Sequence, residues 1–253
     1  MLSQDEKWLL KEKYADVESA EFEADRKRLA VGEPLGYAIG YVPFLGCKIY
    51  LDSRPLIPRA ETEFWVEKAI AVIKRAAPGA PRVLDLCAGS GAIGVAVARQ
   101  VPTVQITFAE IYKAHLPTIG KNLNENTILC TNYKVFQSDL FSNVHGEFDF
   151  VLCNPPYIDP ILDRTESSVK NFEPHEALYG GLGGLELIKK IITASPAHLS
   201  AAGELWLEHE PEQSAKIKEL AEQNSFVAEV HKDQYGVERY SILTLQKSKN
   251  VPK

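Results

Sequence analysis

The residues best suited to chemistry form a proline-rich run, Asn154-Pro155-Pro156-Tyr157, directly after the apolar segment 148–153. That segment is predicted to be a strand, so the run lies at a strand's carboxyl end. Proline has no N–H and a fixed φ, which makes the turn rigid and leaves carbonyl groups without local partners. The Asn154 side-chain oxygen and the Pro155 carbonyl then form two acceptors directed at one place, and Tyr157 adds an aromatic face.

A planar NH2 group fits this pair of acceptors. Both of its hydrogens can be accepted, and its face can stack on Tyr157. The nitrogen of an amide or aromatic amine is a poor nucleophile because its lone pair is delocalised. Holding both hydrogens favours lone-pair density on nitrogen, and fixed geometry supplies much of the remaining rate enhancement. The run predicts transfer chemistry at an NH2 group without a metal ion or covalent nucleophile; the alternative is a turn that merely follows a core strand.

A glycine turn upstream, within residues 83–92 (VLDLCAGSGA), is a second candidate site. An apolar strand leads into small residues and then a helix, and Gly89 and Gly91 let the backbone approach a ligand closely. The helix N-terminus offers free N–H groups. Glu110 stands at the end of the next strand, where a carboxylate can accept hydrogen bonds from a ribose diol. Together they predict a nucleoside-type cofactor; the alternative is a tight turn without a ligand.

The turn favours a methyl donor over a dinucleotide. Gly89, Gly91 and Gly94 fit the dinucleotide pattern G-x-G-x-x-G only in a later register, deeper in the helix. Asp85, inside the strand end, can order the loop or meet a cationic amino-acid moiety. S-adenosylmethionine carries such a moiety and has no pyrophosphate.

The order of the helices and strands that must position these residues indicates an α/β fold. From residue 82 onward, apolar strands alternate with helical stretches, which predicts a parallel sheet covered on both faces. The predicted strands are 83–87, 105–110, 133–137, 148–153, 203–208, 226–231 and 239–245. The predicted helices in and before this region are 61–77, 93–100, one starting near Pro117, and 186–199. The short link between the last two strands predicts an antiparallel edge pair.

The front of the chain is organised differently. Ser3 and Glu6 match a capping box, which predicts a helix, and a second short helix is predicted around 22–30. Glycines and prolines then separate two pieces rich in aromatic and β-branched residues, 37–44 and 48–51, which predict a hairpin. We therefore predict a helical segment at 1–31, a β-hairpin linker at 32–58 and the α/β domain at 59–253.

The composition and charge exclude several classes of protein. Of 253 residues, 45% are hydrophobic and 25% charged, which excludes disorder for the bulk of the chain. The net charge of −6 argues against a protein that coats nucleic acid. No apolar run is long enough to span a membrane and the N-terminus lacks a signal core, which predicts a cytoplasmic protein. We predict no metal site, reduced thiols in or near the core (Cys47, Cys87, Cys130 and Cys153), and histidines on the surface or in loops.

The Asn154 to Tyr157 run with the upstream glycine turn resembles the amino-methyltransferases, whose acceptors are adenine or cytosine in nucleic acid, or glutamine in protein. Further segments resemble the release-factor glutamine N5-methyltransferases of the HemK/PrmC type, and the match extends from about residue 32 to 245. These segments are 32–37 (GEPLGY), 44–46 (FLG), 56–63 (LIPRAETE), 138–141 (SDLF), 172–174 (FEP) with 177–178 (AL), and 205–208 (LWLE) with Gln213.

The resemblance implies a class I, Rossmann-like methyltransferase domain that methylates the glutamine amide in the GGQ motif of peptide chain release factors. The cofactor it implies is S-adenosylmethionine. By position, cofactor contacts would come from Asp85, Cys87, Ala88, Gly89, Ser90, Gly91, Glu110, Leu140 and Asn154. The glutamine would be held by Asn154, Pro155, Pro156 and Tyr157, with Arg59 and Glu61 at the mouth of the site. The family usually has glycine at position 87 and aspartate at position 110.

Four alternatives stay open at this point. A nucleic-acid amino-methyltransferase could use the same run, although it calls for a basic face that the net charge does not favour. A cofactor-binding relative without catalysis could retain the fold. Arg59, Glu61 and Glu63 could simply form a solvated helix start. Glu208 and Glu210, which flank His209 after a later strand, could serve as an acid or base, which the chemistry does not require.

Overall fold

The computed structural model describes residues 2–76, 79–128 and 133–246. Over these residues the chain forms helices and strands in an α/β arrangement. The helices are α1 Gln4–Tyr14, α2 Ala20–Ala30, α3 Leu35–Ile39, α4 Ala60–Ala76, α5 Ala92–Gln100, α6 Leu116–Glu125, α7 Ser167–Phe172, α8 Glu186–Ala194 and α9 Ser214–Gln223. The strands are β1 Tyr41–Phe44, β2 Cys47–Tyr50, β3 Arg82–Leu86, β4 Gln105–Glu110, β5 Tyr133–Gln137, β6 Phe148–Cys153, β7 Leu199–Glu208, β8 Phe226–Lys232 and β9 Glu238–Leu245.

Strands β3 to β9 form a seven-stranded sheet in the order β5-β4-β3-β6-β7-β9-β8. The pairs β3–β4, β4–β5, β3–β6 and β6–β7 are parallel, and β9 pairs antiparallel with both β7 and β8. The predicted mostly parallel sheet and the antiparallel pairing of the last two strands are confirmed. The chain order reverses between β3 and β6, and the carboxyl ends of strands at such a reversal form a crevice where α/β proteins bind ligands.

Each face of the sheet has its own core, as a doubly covered parallel sheet requires. One face packs against α4, α5 and α6, with Trp65, Val95 and Leu123 among its buried side chains. The other packs against α8 and α9, with Ile188 and Ile217 buried. These two layers fix the strand ends that carry the glycine turn and the proline-rich run.

The front helices pack on the hairpin region through a small separate cluster. The predicted capping box is confirmed, because the Glu6 N–H donates to Ser3 Oγ and the Ser3 N–H to a Glu6 carboxylate oxygen. Leu9 and Phe22 are fully buried together with Ala38 of α3. The cluster therefore extends past residue 31, and the three-part division of the chain stays a prediction.

Two local predictions are wrong. The strand predicted from Tyr37 begins at Tyr41, because the preceding residues form α3 and turn their apolar side chains into the front cluster. The helix predicted to reach residue 199 ends at Ala194 and gives way to a 3-10 turn over Ser195–Ala197, because Pro196 has no N–H with which to continue the α-helical hydrogen bonds. His209 lies in the loop after β7, as predicted, but is fully buried there; its ring bonds Ser241 Oγ at 2.7 Å, and burial lowers its pKa to about 4.

Cys47 and Cys153 are buried and Cys87 is half-buried, and all three are free thiols as predicted. Cys130 lies outside the described residues. None of the described helices is both long and apolar enough to cross a membrane.

Candidate active site

Two cavities meet at the proline-rich run, at the carboxyl ends of β3, β4 and β6. The turn-side cavity, of about 270 Å³, is lined by the glycine turn and the end of β4, including Cys87, Gly89, Glu110, Leu140 and Pro156. The proline-side cavity, of about 400 Å³, is lined by residues that include Arg59, Pro155, Tyr157, Thr165 and Leu178. Leu56, Asn154 and Ala177 line both. Asn154 therefore stands in the wall that the two cavities share.

The glycine turn bends sharply between β3 and α5. Cys87, Gly89 and Gly91 all have positive φ, at 61°, 54° and 77°. Glycine adopts this conformation without a Cβ clash, whereas Cys87 adopts it at a steric cost. Cys87 lines the turn-side cavity, at the position where the resemblance implies a glycine.

Glu110 closes the turn-side cavity from the end of β4. It is only 4% exposed. Its two carboxylate oxygens accept the N–H groups of Gly89 at 2.7 Å and Tyr112 at 2.8 Å. Each carboxylate oxygen has a further lone pair, so the side chain can still accept hydrogen bonds from a ligand diol.

Four predicted cofactor residues do not line the turn-side cavity: Asp85, Ala88, Ser90 and Gly91. Asp85 is fully buried beneath the turn and accepts the Gly94 N–H at 2.8 Å, which fixes the start of α5. Burial raises the pKa of the Asp85 carboxyl well above its usual range. The structure thus shows Asp85 ordering the loop, one of the two roles expected for it, and direct cofactor contact by these four residues stays a prediction.

A buried carboxylate that sequence reasoning left aside lies directly behind the run. Glu208, at the end of β7, is 1% exposed and accepts hydrogen bonds from Thr62 Oγ1 at 2.7 Å, Trp65 Nε1 at 2.6 Å and Tyr157 Oη at 2.8 Å. Thr62 in turn accepts a hydrogen bond from Asn154 Nδ2 at 3.2 Å. The usable sequence signal was an acid at the end of the strand beside β6; nothing in the sequence placed α4 next to it.

Arg59 and Glu61, at the start of α4, differ in whether they line a cavity. Arg59 lines the proline-side cavity and forms a 2.7 Å ion pair with Glu173, whose side chain is fully buried and also accepts the Ile57 N–H. Glu61, in the first turn of α4, is absent from the lining of both cavities. Arg59 is therefore held at the predicted mouth, and the site role of Glu61 stays a prediction.

The arrangement suits group transfer between two ligands. A cofactor in the turn-side cavity and a planar NH2 group in the proline-side cavity would meet at Asn154. Among the described residues, no three His, Cys, Asp or Glu side chains lie close enough together to hold a metal ion.

Solved structures share the fold. The hMettl16 catalytic domain matches with a TM-score of 0.61 at 18% identity, covering 81% of this chain and 77% of the other. The ribosomal protein L11 methylase of Lactobacillus delbrueckii subsp. bulgaricus matches with a TM-score of 0.54 at 17% identity, covering 74% and 79%. These likenesses concern the fold alone and confirm the predicted class I methyltransferase fold.

Sequence relatives are closer. The family model of the methyltransferase small domain matches residues 70–172. The release factor glutamine methyltransferase of Rhodopirellula baltica is 38% identical over 229 residues, 88% of this chain and 76% of the relative. That of Bordetella pertussis is 33% identical over 248 residues, 95% of this chain and 90% of the relative. With identity above 30% over most of both chains, the chain belongs to the release factor glutamine methyltransferase family.

Proposed function

We propose that this protein transfers a methyl group from S-adenosylmethionine to the side-chain amide nitrogen of the glutamine in the GGQ motif of peptide chain release factors. The observation that carries the proposal is the position of Asn154, in the wall shared by the two cavities. The name of the relatives, release factor glutamine methyltransferase, points to the substrate, and the acceptors of the run fit a primary amide.

The turn-side cavity fits the cofactor. Its polar end is the buried Glu110 carboxylate, suited to a ribose diol, and its apolar lining includes Ile111, Tyr112 and Leu140, suited to a flat base. When bound, S-adenosylmethionine supplies an activated methyl group on a sulfonium.

The chain's own residues prepare the acceptor. Asn154 and the Pro155 carbonyl hold the two amide hydrogens, which favours lone-pair density on nitrogen. Tyr157 provides the face on which the amide lies. The rigid Pro155-Pro156 pair fixes these groups before the substrate arrives, so that little ordering is left for the reaction itself.

The decisive experiment incubates the protein with labelled methyl donor, purified release factor and free nucleic acid as a competing acceptor. We expect label in the release factor, on the GGQ glutamine by peptide mass spectrometry, and a release factor with that glutamine changed to alanine should stay unlabelled. Label in the nucleic acid would instead support the amino-methyltransferase alternative. Label in neither, with cofactor bound, would support the non-catalytic one.

Glu110→Ala should weaken cofactor binding by about 1–3 kcal/mol, because a buried carboxylate that accepts hydrogen bonds is removed. Calorimetric titration with S-adenosylhomocysteine measures the loss, and NAD should not bind to the unaltered protein. Glu219→Ala, which changes an exposed acid on α9, is the matched control and should bind normally. Equal affinity of the two variants for S-adenosylhomocysteine would show that Glu110 does not contribute to cofactor binding.

We also propose that the front helical segment docks the release factor. Its core is separate from both faces of the sheet, and Trp8 on α1 is 50% exposed. Deleting residues 1–31 should leave the affinity for S-adenosylhomocysteine near that of the full chain and reduce methylation of intact release factor. Parallel loss of both, or loss of the folded state by circular dichroism, would show that the segment belongs to the catalytic domain's core.

A further inference from the structure

The three groups that point at Glu208 are all hydrogen-bond donors. The Trp65 indole N–H can only donate, and the hydroxyls of Thr62 and Tyr157 donate their single hydrogens to the same carboxylate. An ionised carboxylate accepts from all three at once. A protonated carboxyl would have to place its own hydrogen on one of the two hydroxyls and turn that hydroxyl's hydrogen elsewhere.

The direction of the hydrogen bond from Thr62 to Glu208 also determines how Thr62 can bond to Asn154. Since the Thr62 hydrogen is given to Glu208, the Thr62 oxygen can only accept from its other neighbour, which is the Asn154 amide. The amide must therefore present its NH2 group to Thr62, and its carbonyl oxygen Oδ1 is directed away from Thr62. A primary amide can otherwise rotate by half a turn and exchange its oxygen for its nitrogen.

We infer that Glu208 is a positioning residue for methyl transfer: acting through Thr62, it fixes the Asn154 amide with Oδ1 as the acceptor for the substrate NH2 group, while its other oxygen holds Tyr157. The inference rests on the proposed function, because it concerns the group that would hold the glutamine amide. Glu208 contacts neither the methyl donor nor the acceptor in this scheme.

The charges around Glu208 make the rate of methyl transfer depend on pH in this scheme. Burial raises the pKa of Glu208, whereas the positive charge of Arg239 on β9 and the three donors favour the ionised form. The other titratable groups that interact with it electrostatically are Tyr157 and Cys153, whose pKa values burial raises well above their usual range, so both face it as neutral groups. As pH falls through the raised pKa of Glu208, the carboxyl gains a proton that it can donate to Thr62 Oγ1; the Thr62 hydrogen is then released and the Asn154 amide loses its fixed orientation. Activity should decline on this acidic side.

The sharpest variant is Thr62→Val, which keeps the shape of the side chain and removes the hydroxyl. We expect kcat to fall on the order of 10²-fold, as for a misplaced reacting group, with a smaller change in KM for release factor. Affinity for S-adenosylhomocysteine should be unchanged, and Thr62→Ser should restore most of kcat. The matched control is Thr107→Val in β4, a buried threonine that lines neither site cavity and whose change should leave kcat as it is.

Glu208→Gln removes the charge at nearly constant volume. The variant should lose kcat to a similar extent and should also lose the acidic limb of the pH profile, since the group that titrates is gone. A wild-type kcat in Thr62→Val, or an unchanged acidic limb in a folded and active Glu208→Gln protein, would overturn the inference.

A readout that needs no substrate separates this inference from the proposed function. The side-chain NH2 resonance of Asn154, assigned by its loss in Asn154→Ala, should move in Thr62→Val and in Glu208→Gln, and stay in place in Thr107→Val. If that resonance moves but the unaltered protein does not methylate release factor, the proposed function fails and the positioning role stands. If the protein methylates release factor but the resonance stays in place in Thr62→Val, the positioning role is wrong.

Discussion

Asn154→Ala should lower the rate of methyl transfer to release factor by about 10²–10³-fold, the usual effect of removing one preorganised contact to a reacting group. The residue lines both cavities, so its loss removes an acceptor at the point where donor and amide meet. Single-turnover transfer with saturating cofactor measures this step without interference from product release. Near-wild-type turnover would contradict the mechanism, and with it the assignment of an amide acceptor.

Two companion variants separate orientation from charge and stacking. Tyr157→Ala should be milder than Asn154→Ala, because stacking of a planar group contributes roughly 0.5–1.5 kcal/mol. Asn154→Asp keeps an acceptor but adds a negative charge beside the site of the donor sulfonium; we expect it to bind cofactor and to transfer the methyl group poorly. Cofactor affinity close to that of the unaltered protein is the control for both.

The fold could be predicted because its signals are local. β4, β5 and β6 occupy the residues predicted for them, since each is an apolar segment bounded by turn residues. The glycine turn and the acid after β4 were placed correctly for the same reason. Their cavity is formed by strand ends, and alternation of strands and helices predicts a parallel sheet in which those ends lie at one edge.

The side chains that hold the site residues in place could not be predicted, because they come together from positions far apart in the sequence. Thr62 and Trp65 lie 146 and 143 positions before Glu208, and the orientation of α4 that brings them to it is set by packing on the sheet. The burial of His209 has the same origin, since its partner Ser241 comes from β9. Sequence patterns identify the groups that do chemistry more readily than the groups that hold them.

Gly184→Ala should displace the proline-rich run. Gly184 is therefore a second position, after Asn154, at which a small substitution should strongly lower the rate of methyl transfer. A methyl group at Gly184 would overlap the backbone carbonyl oxygen of Tyr157 and the side-chain nitrogen of Gln213. Those two atoms already share a 2.7 Å hydrogen bond that ties the run to the turn before α9, so neither can give way without moving the other.

We expect Gly184→Ala to lower kcat on the order of 10²-fold through misplacement of the run and to lower the free energy of unfolding by about 1–3 kcal/mol through overpacking. Gly183→Ala is the matched control, because Gly183 has nearly the same positive φ, 64° against 66°, but an added methyl there comes no closer than 3.6 Å to any neighbour. It should show only the cost of the left-handed conformation, about 1–2 kcal/mol, with kcat retained. Urea denaturation and steady-state kinetics measure the two effects. If both variants had the same kcat, close packing at Gly184 would not be what holds Tyr157 and its neighbours in place for transfer.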